Sequence, residues 1–140
     1  MADHKVVNTK DLILEAAAAK AKAYAPYSDF AVGAALLTRS GQIFTGCNVE
    51  NISFGLTICA ERSAVTAAIA SGEKDFTTIA VVTDLQEPVL PCGACLQVLA
   101  EFSPSMKIVA ATTNGKSVEF DLSELLPKPV QGILGDHRDV

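Results

Sequence analysis

The sequence predicts an α/β fold, a three-layer α/β/α sandwich built on one five-stranded mixed sheet. Three observations predict it. Helix-like and strand-like segments alternate along the chain, several strand-like segments are apolar at consecutive positions, and two helix-like segments are long enough to serve as crossovers.

Asn8 and Thr9 can cap a first helix whose apolar positions Leu12, Leu14, Ala16, Ala17 and Ala19 continue towards Tyr24, with Asp11 in its first turn and Pro26 closing it. Phe30 to Thr38 is apolar on both faces, as in a covered strand, and the turn Arg39-Ser40-Gly41 leads into Gln42 to Cys47 as its hairpin partner. A second helix is expected over Cys59 to Ser71, capped by Thr57 and stopped by Gly72. Thr77 to Thr83 is another strand buried on both faces. Pro91 opens a third helix through about Phe102, and Met106 to Thr112 is the next strand, turned at Asn114-Gly115 into Lys116 to Phe120. Asp121 then caps a short last helix, with Glu124 three residues on and Pro127 at its end. The crossovers over 59–71 and 92–102 are expected to join parallel neighbours.

Composition bounds the function. With 140 residues, 49% of them hydrophobic and 19% charged, the chain can bury a real core, and a single domain over 1–140 is expected. Aromatic residues are 6% and Trp is absent, so close packing through Ala replaces a large aromatic core. No apolar run is long enough to span a bilayer. Lys and Arg number 11 against 16 Asp and Glu, a net charge of -5 with no basic run, which disfavours a nucleic acid polymer as partner. Met1 to Lys10 is polar and offers no signal peptide, so a cytoplasmic location is expected, and in that reducing compartment the 4 Cys point to metal or catalytic use rather than disulfides.

Three of those Cys fall at helix starts: Cys59 in T-I-C-A-E-R, and Cys92 and Cys95 in L-P-C-G-A-C. A C-x-x-C on a first turn puts two sulfurs on one face, and a third from another helix tip completes a trigonal base that leaves one position of a tetrahedral ion open. Zinc suits soft thiolates and need not change redox state. Three thiolates on a dication sum to about minus one, which two helix N-termini and Arg62 can offset. Glu61, two residues after Cys59, would face away from it on a regular helix, so the helix must meet the metal end-on. The longer carboxylate can then serve as a proton shuttle for a zinc-bound water, whose pKa falls from about 15.7 towards about 7. Plainer readings stand beside this one: a dithiol or structural zinc half-site, core thiols, and a first-turn charge for Glu61. Cys47 reads as a small apolar residue at a strand end, and His4 and His137 as solvated residues near the chain ends.

With C-A-E followed by P-C-G-A-C, the chain resembles cytidine deaminases of the small, homotetrameric, three-cysteine zinc type. The likeness extends through Ala25-Pro26-Tyr27-Ser28, Phe30-Ala31-Val32-Gly33-Ala34, Gly46-Cys47-Asn48-Val49-Glu50-Asn51 and Leu125-Leu126-Pro127. The resemblance implies one zinc per chain on Cys59, Cys92 and Cys95, with Glu61 catalytic. It also implies Asn48 and Glu50 on the ribose hydroxyls, Phe30 against the pyrimidine, the Ala60 N–H on the 2-oxo group, the Leu90 carbonyl facing the departing ammonia, and Phe54 reaching a neighbouring subunit's site. Without the motif, Phe30 reads equally as core, and Asn48 and Glu50 as a polar turn.

Two positions depart from the family pattern. Leu96 stands where Arg commonly follows P-C-G-x-C, leaving Arg62 as the cation beside the sulfurs, and Lys128-Pro129-Val130 stands where a Phe often follows Leu-Leu-Pro. The implied function is hydrolytic deamination of cytidine and 2'-deoxycytidine in pyrimidine salvage. Deamination of a related cytosine compound such as blasticidin S is the nearest alternative, and a non-enzymatic zinc-stabilised interaction module a more distant one.

Overall fold

The computed structural model describes residues 6–129, so His4, Val130 and His137 lie outside it. Five strands, β1 (Val32–Thr38), β2 (Ile43–Cys47), β3 (Phe76–Thr83), β4 (Lys107–Thr112) and β5 (Ser117–Asp121), form one mixed sheet in the order β2-β1-β3-β4-β5. Only β3 and β4 pair in parallel; the other three pairs are antiparallel. Helix α1 (Thr9–Lys20) covers one face, where Leu12 and Ala16 pack on Ala35, Ala80, Val82 and Val109. On the other face α2 (Ala60–Ala70) and α3 (Gly93–Phe102) bury Ala64, Val65, Ala68, Leu96 and Leu99 against Leu36, Ile79, Val81 and Ile108. The short α4 (Leu122–Leu125) adds Leu122 to that second layer. The expected α/β/α sandwich with a five-stranded mixed sheet is what the chain forms.

The asymmetry between the layers follows from chain chemistry. Asn8 caps α1, its Oδ1 accepting from the Asp11 N–H at 2.8 Å. Asp121 caps α4 in a capping box whose return partner is Glu124, as the spacing predicts. The second helix differs from its expectation: Cys59, not Thr57, is its N-cap, because Thr57 closes a 3-10 turn over Phe54–Leu56 and only Cys59 supplies the extended backbone next to the first helical residue. Helix α1 also stops earlier than its pattern suggests, since the chain turns at Ala21 and Tyr24 bridges in parallel to Val49.

One crossover behaves as expected, with α3 linking the parallel neighbours β3 and β4. The other does not: α2 leaves β2 and enters β3 with β1 lying between them. The β1–β2 hairpin takes up one edge of β1 before α2 begins and β3 takes the other, so the crossover must step over a strand. This places the start of α2, the start of α3 and the ends of β2 and β3 at one end of the sheet, where ligands bind in open α/β folds.

Candidate active site and metal centre

Cys59 and Cys92 are the N-cap residues of α2 and α3, and neither closes its helix with a side-chain hydrogen bond. Each helix thus points a partial positive end, with first-turn N–H groups lacking an acceptor within the helix, at the same spot. Cys95 lies one turn into α3 and is buried. The Sγ atoms of Cys59, Cys92 and Cys95 all lie within 4.8 Å of one another, the spread of a thiolate set closing on a tetrahedral ion at about 2.3 Å. The set therefore fits one zinc ion, with no His, Asp or Glu among the described residues completing a fourth ligand. Cys47, at the end of β2, stands outside the cluster.

The electrostatics are those of a thiolate site. In the metal-free chain the Cys59 thiol is lowered to about 5, first by its hydrogen bond with Cys95 and then by Arg62. Cys95 is pushed up by the same hydrogen bond and by burial. Arg62 lies on the first turn of α2 with Nη2 3.3 Å from Cys59 Sγ, and its buried Nε has no partner among the described residues. Leu96 is buried in the core between α2, α3 and the sheet, which agrees with Arg62 serving alone beside the sulfurs.

Beside the cluster opens a cavity of about 270 Å³. It is small for a ligand pocket. Its lining includes Val32, Val81 and Thr83 from the strands and Cys59, Ala60, Glu61 and Cys92 from the helix starts. Glu61 is 5% exposed and its carboxyl is raised to about 7, chiefly by burial and further by the Cys59 charge. Ala60 is the first residue of α2, so its N–H has no acceptor within the helix. Phe30, Asn48, Glu50, Phe54 and Leu90 line the cavity as well. Every residue singled out from the sequence for chemistry or substrate contact reaches this cavity or the metal cluster beside it.

Asn48 and Glu50 have work inside the fold as well. Asn48 Oδ1 accepts from the Val32 N–H at 2.9 Å and its Nδ2 donates to the Phe30 carbonyl at 2.7 Å, holding Phe30 at the rim. Glu50 Oε1 accepts from the N–H groups of Tyr27 and Ser28 at 3.0 and 3.1 Å, and Oε2 from the Ser28 hydroxyl. These bonds hold its carboxyl below the ordinary carboxylate range, the Ser28 hydroxyl contributing most. The role of Ser28 was invisible from sequence pattern because its partner lies 22 residues away.

Residues 7–112 match the family described as the cytidine and deoxycytidylate deaminase zinc-binding region. A curated cytidine deaminase from Halalkalibacterium halodurans is 50% identical over 117 residues, covering 83% of this chain and 89% of that one. Another, from Sporosarcina psychrophila, is 45% identical over 122 residues, covering 86% and 90%. Among solved structures, cytidine deaminase from Burkholderia pseudomallei is similar with a TM-score of 0.84 at 47% identity, covering 86% of this chain and 98% of that one.

Proposed function

The chain belongs to the cytidine and deoxycytidylate deaminase family, and we propose that the residues gathered at its cavity carry out that family's chemistry in the roles assigned below. The reaction is zinc-dependent hydrolytic deamination of cytidine: water adds at C4 of the base, the C4–N bond breaks, and uridine and ammonia leave. The observation that carries the assignment is a buried carboxyl, Glu61, in a small cavity that two of the three clustered cysteines, Cys59 and Cys92, help to line.

Cys59, Cys92 and Cys95 would hold the zinc ion, whose chemistry would be to lower the pKa of a water from about 15.7 towards about 7. Glu61 accepts that water's proton as the C4–O bond forms and hands it to N3, then takes the proton of the new C4 hydroxyl and gives it to the amino group as the C4–N bond breaks. Burial, which raises its carboxyl to about 7, lets it both hold and release a proton near neutral pH. The Ala60 N–H donates to the 2-oxo group of the base. Phe30, fixed at the rim by Asn48, packs on the ring, and Asn48 and Glu50 offer their remaining hydrogen-bonding capacity to the sugar hydroxyls. Nothing in these contacts requires a 2'-hydroxyl, so 2'-deoxycytidine is a second substrate. The carbonyl of Leu90, a residue of the cavity lining, faces the departing ammonia.

Substrate is a free nucleoside rather than a polymer, given the net charge of -5 and the small cavity. Around the mouth, Ile52 (84% exposed), Leu56 (66%), Phe54 (60%) and Ile58 (46%) form an apolar loop surface that supports a homotetramer with active sites near subunit contacts. Pyrimidine salvage in the cytoplasm is the setting we propose for a chain acting as one domain.

The test is to incubate zinc-loaded protein with cytidine, 2'-deoxycytidine and blasticidin S and follow base absorbance and ammonia release. Uridine and deoxyuridine are the expected products. Turnover of blasticidin S without turnover of either nucleoside would replace this substrate, and no turnover at all would leave a zinc-stabilised module. Sedimentation showing an active monomer at micromolar concentration would remove the tetramer.

A further inference from the structure

Val89 and Leu90, in the connection from β3 to α3 that ends at Cys92, line the cavity together with Phe30. That connection, 84–91, belongs to no helix or strand and must be held by something else. Side chains from two distant elements hold it. Lys20, the last residue of α1, donates from Nζ to Asp84 Oδ2 at 3.0 Å, and its side chain is only 14% exposed. Thr113, in the β4–β5 turn, donates from Oγ1 to Asp84 Oδ1 at 2.9 Å and from its N–H to the Thr83 carbonyl at 3.0 Å. From the same turn Asn114 Nδ2 reaches the Gln86 carbonyl at 3.4 Å and Lys116 Nζ reaches Glu87. Pro88 and Pro91 then restrict the backbone on either side of Val89 and Leu90. Both oxygens of Asp84 are thus engaged by separate elements, and the tether ends within a few residues of the cavity wall.

We propose that Asp84 is a positioning residue for substrate binding: joined to Lys20 and Thr113, it pins the 84–90 connection so that Val89 and Leu90 stand at the right distance from Phe30. Cys92 is held separately, because its carbonyl accepts the Leu96 N–H at 2.9 Å and α3 is locked in the core by Leu96 and Leu99. Loosening the tether therefore acts on binding of the base more than on the metal cluster or on Glu61.

A matched control exists in the same chain. Arg39 Nε and Asp75 Oδ2 also lie 3.0 Å apart, but beyond the opposite end of β1 and away from the cavity. The proposal rests on cytidine being the substrate, so wild-type turnover is measured first; without it that reading fails and the exchange measurement below decides the tether on its own. Asp84→Ala and Asp75→Ala are each loaded with zinc and compared with wild type for melting temperature, KM, kcat and hydrogen exchange at the backbone amides of residues 85–90. Asp84→Ala should raise KM for cytidine about two- to fivefold, the span expected of a partly exposed ion pair, with kcat held within about twofold and amide exchange at 85–90 accelerated. Asp75→Ala should change none of the three. An unchanged KM in Asp84→Ala, an equal rise in Asp75→Ala, or unaltered exchange at 85–90 each overturns the proposal.

Discussion

Both faces of the sheet receive a helix at unusually close range, and only one of them does chemistry. At Gly33 on β1, an added Cβ would lie 1.9 Å from the Ala16 carbonyl of α1; at Gly46 on β2, it would lie 2.4 Å from the Ala60 carbonyl and 2.5 Å from the Ala64 nitrogen of α2. The two glycines do the same steric work from two paired strands. The difference is where along the helix the contact falls. Gly33 touches α1 well past its middle, and the N-terminus of α1 is sealed by Asn8. Gly46 touches the first turn of α2, whose N-cap is a cysteine that leaves the helix end open. A helix docked along its side contributes burial, whereas one docked by its tip delivers N–H groups, a partial positive charge and ligating side chains to a shared point.

The largest effects should come from the open tips. Cys59→Ala should lose zinc and all detectable turnover, and Cys47→Ala, at the same end of the sheet but off the cluster, should keep both; metal content by elemental analysis decides. Glu61→Gln should retain zinc and fold yet lose about 10²–10⁴ in kcat, since an amide accepts no proton from water. A Gln variant with near-normal kcat would remove Glu61 from the proton transfers and leave the tip as a metal anchor only.

The glycines give the next test. Gly33→Ala and Gly46→Ala should each destabilise the fold by about 1–3 kcal/mol or more in denaturant titrations, because backbone cannot move aside as a side-chain end can. Only Gly46→Ala should also release zinc faster to a chelator under conditions where the protein remains folded, since only it displaces the turn between Cys59 and Ala64. Equal zinc release from both variants would mean that the position of α2 along the sheet is not set by its glycine contact.

The same contrast explains what could be read in the sequence. The layers were legible because burial on both faces leaves a one-dimensional trace: 32–37, 79–82 and 108–111 carry no polar side chain. The metal cluster was legible because a C-x-x-C and a third cysteine at predicted helix starts meet at a point once the helix ends converge. Three things were not. Thr57 looked like a helix cap until the 3-10 turn over Phe54–Leu56 absorbed it, a choice made by the β-bridge between Val49 and Ile58 rather than by local propensity. The step of α2 over β1 depends on strand pairing, which leaves no local signal. The backbone duties of Asn48 and Glu50 depend on partners that only the folded chain brings near.

Glu50 supplies the smallest effect and the one most sensitive to pH. Its carboxyl is held below the usual value of 4.5 by the Ser28 hydroxyl first and then by the N–H groups of Ser28 and Tyr27. A carboxylate whose pKa is lowered on folding contributes stability that is fully present above its unfolded value and lost as pH falls through the folded value. In wild type, therefore, the 24–30 segment should stay ordered somewhat below pH 4.5. Ser28→Ala removes the leading contribution while sparing both backbone donors, so the acid loss should begin closer to pH 4.5, with little change at pH 7 beyond the one missing hydroxyl. Urea titrations of both proteins at stepped pH between about 3 and 7 measure the displacement. Parallel acid limbs would show that the Ser28 hydroxyl leaves Glu50's ionisation unchanged and that the two backbone N–H groups alone hold the carboxylate. The rim would then resemble the sealed end of α1, where a side chain meets backbone donors without any tuning of charge.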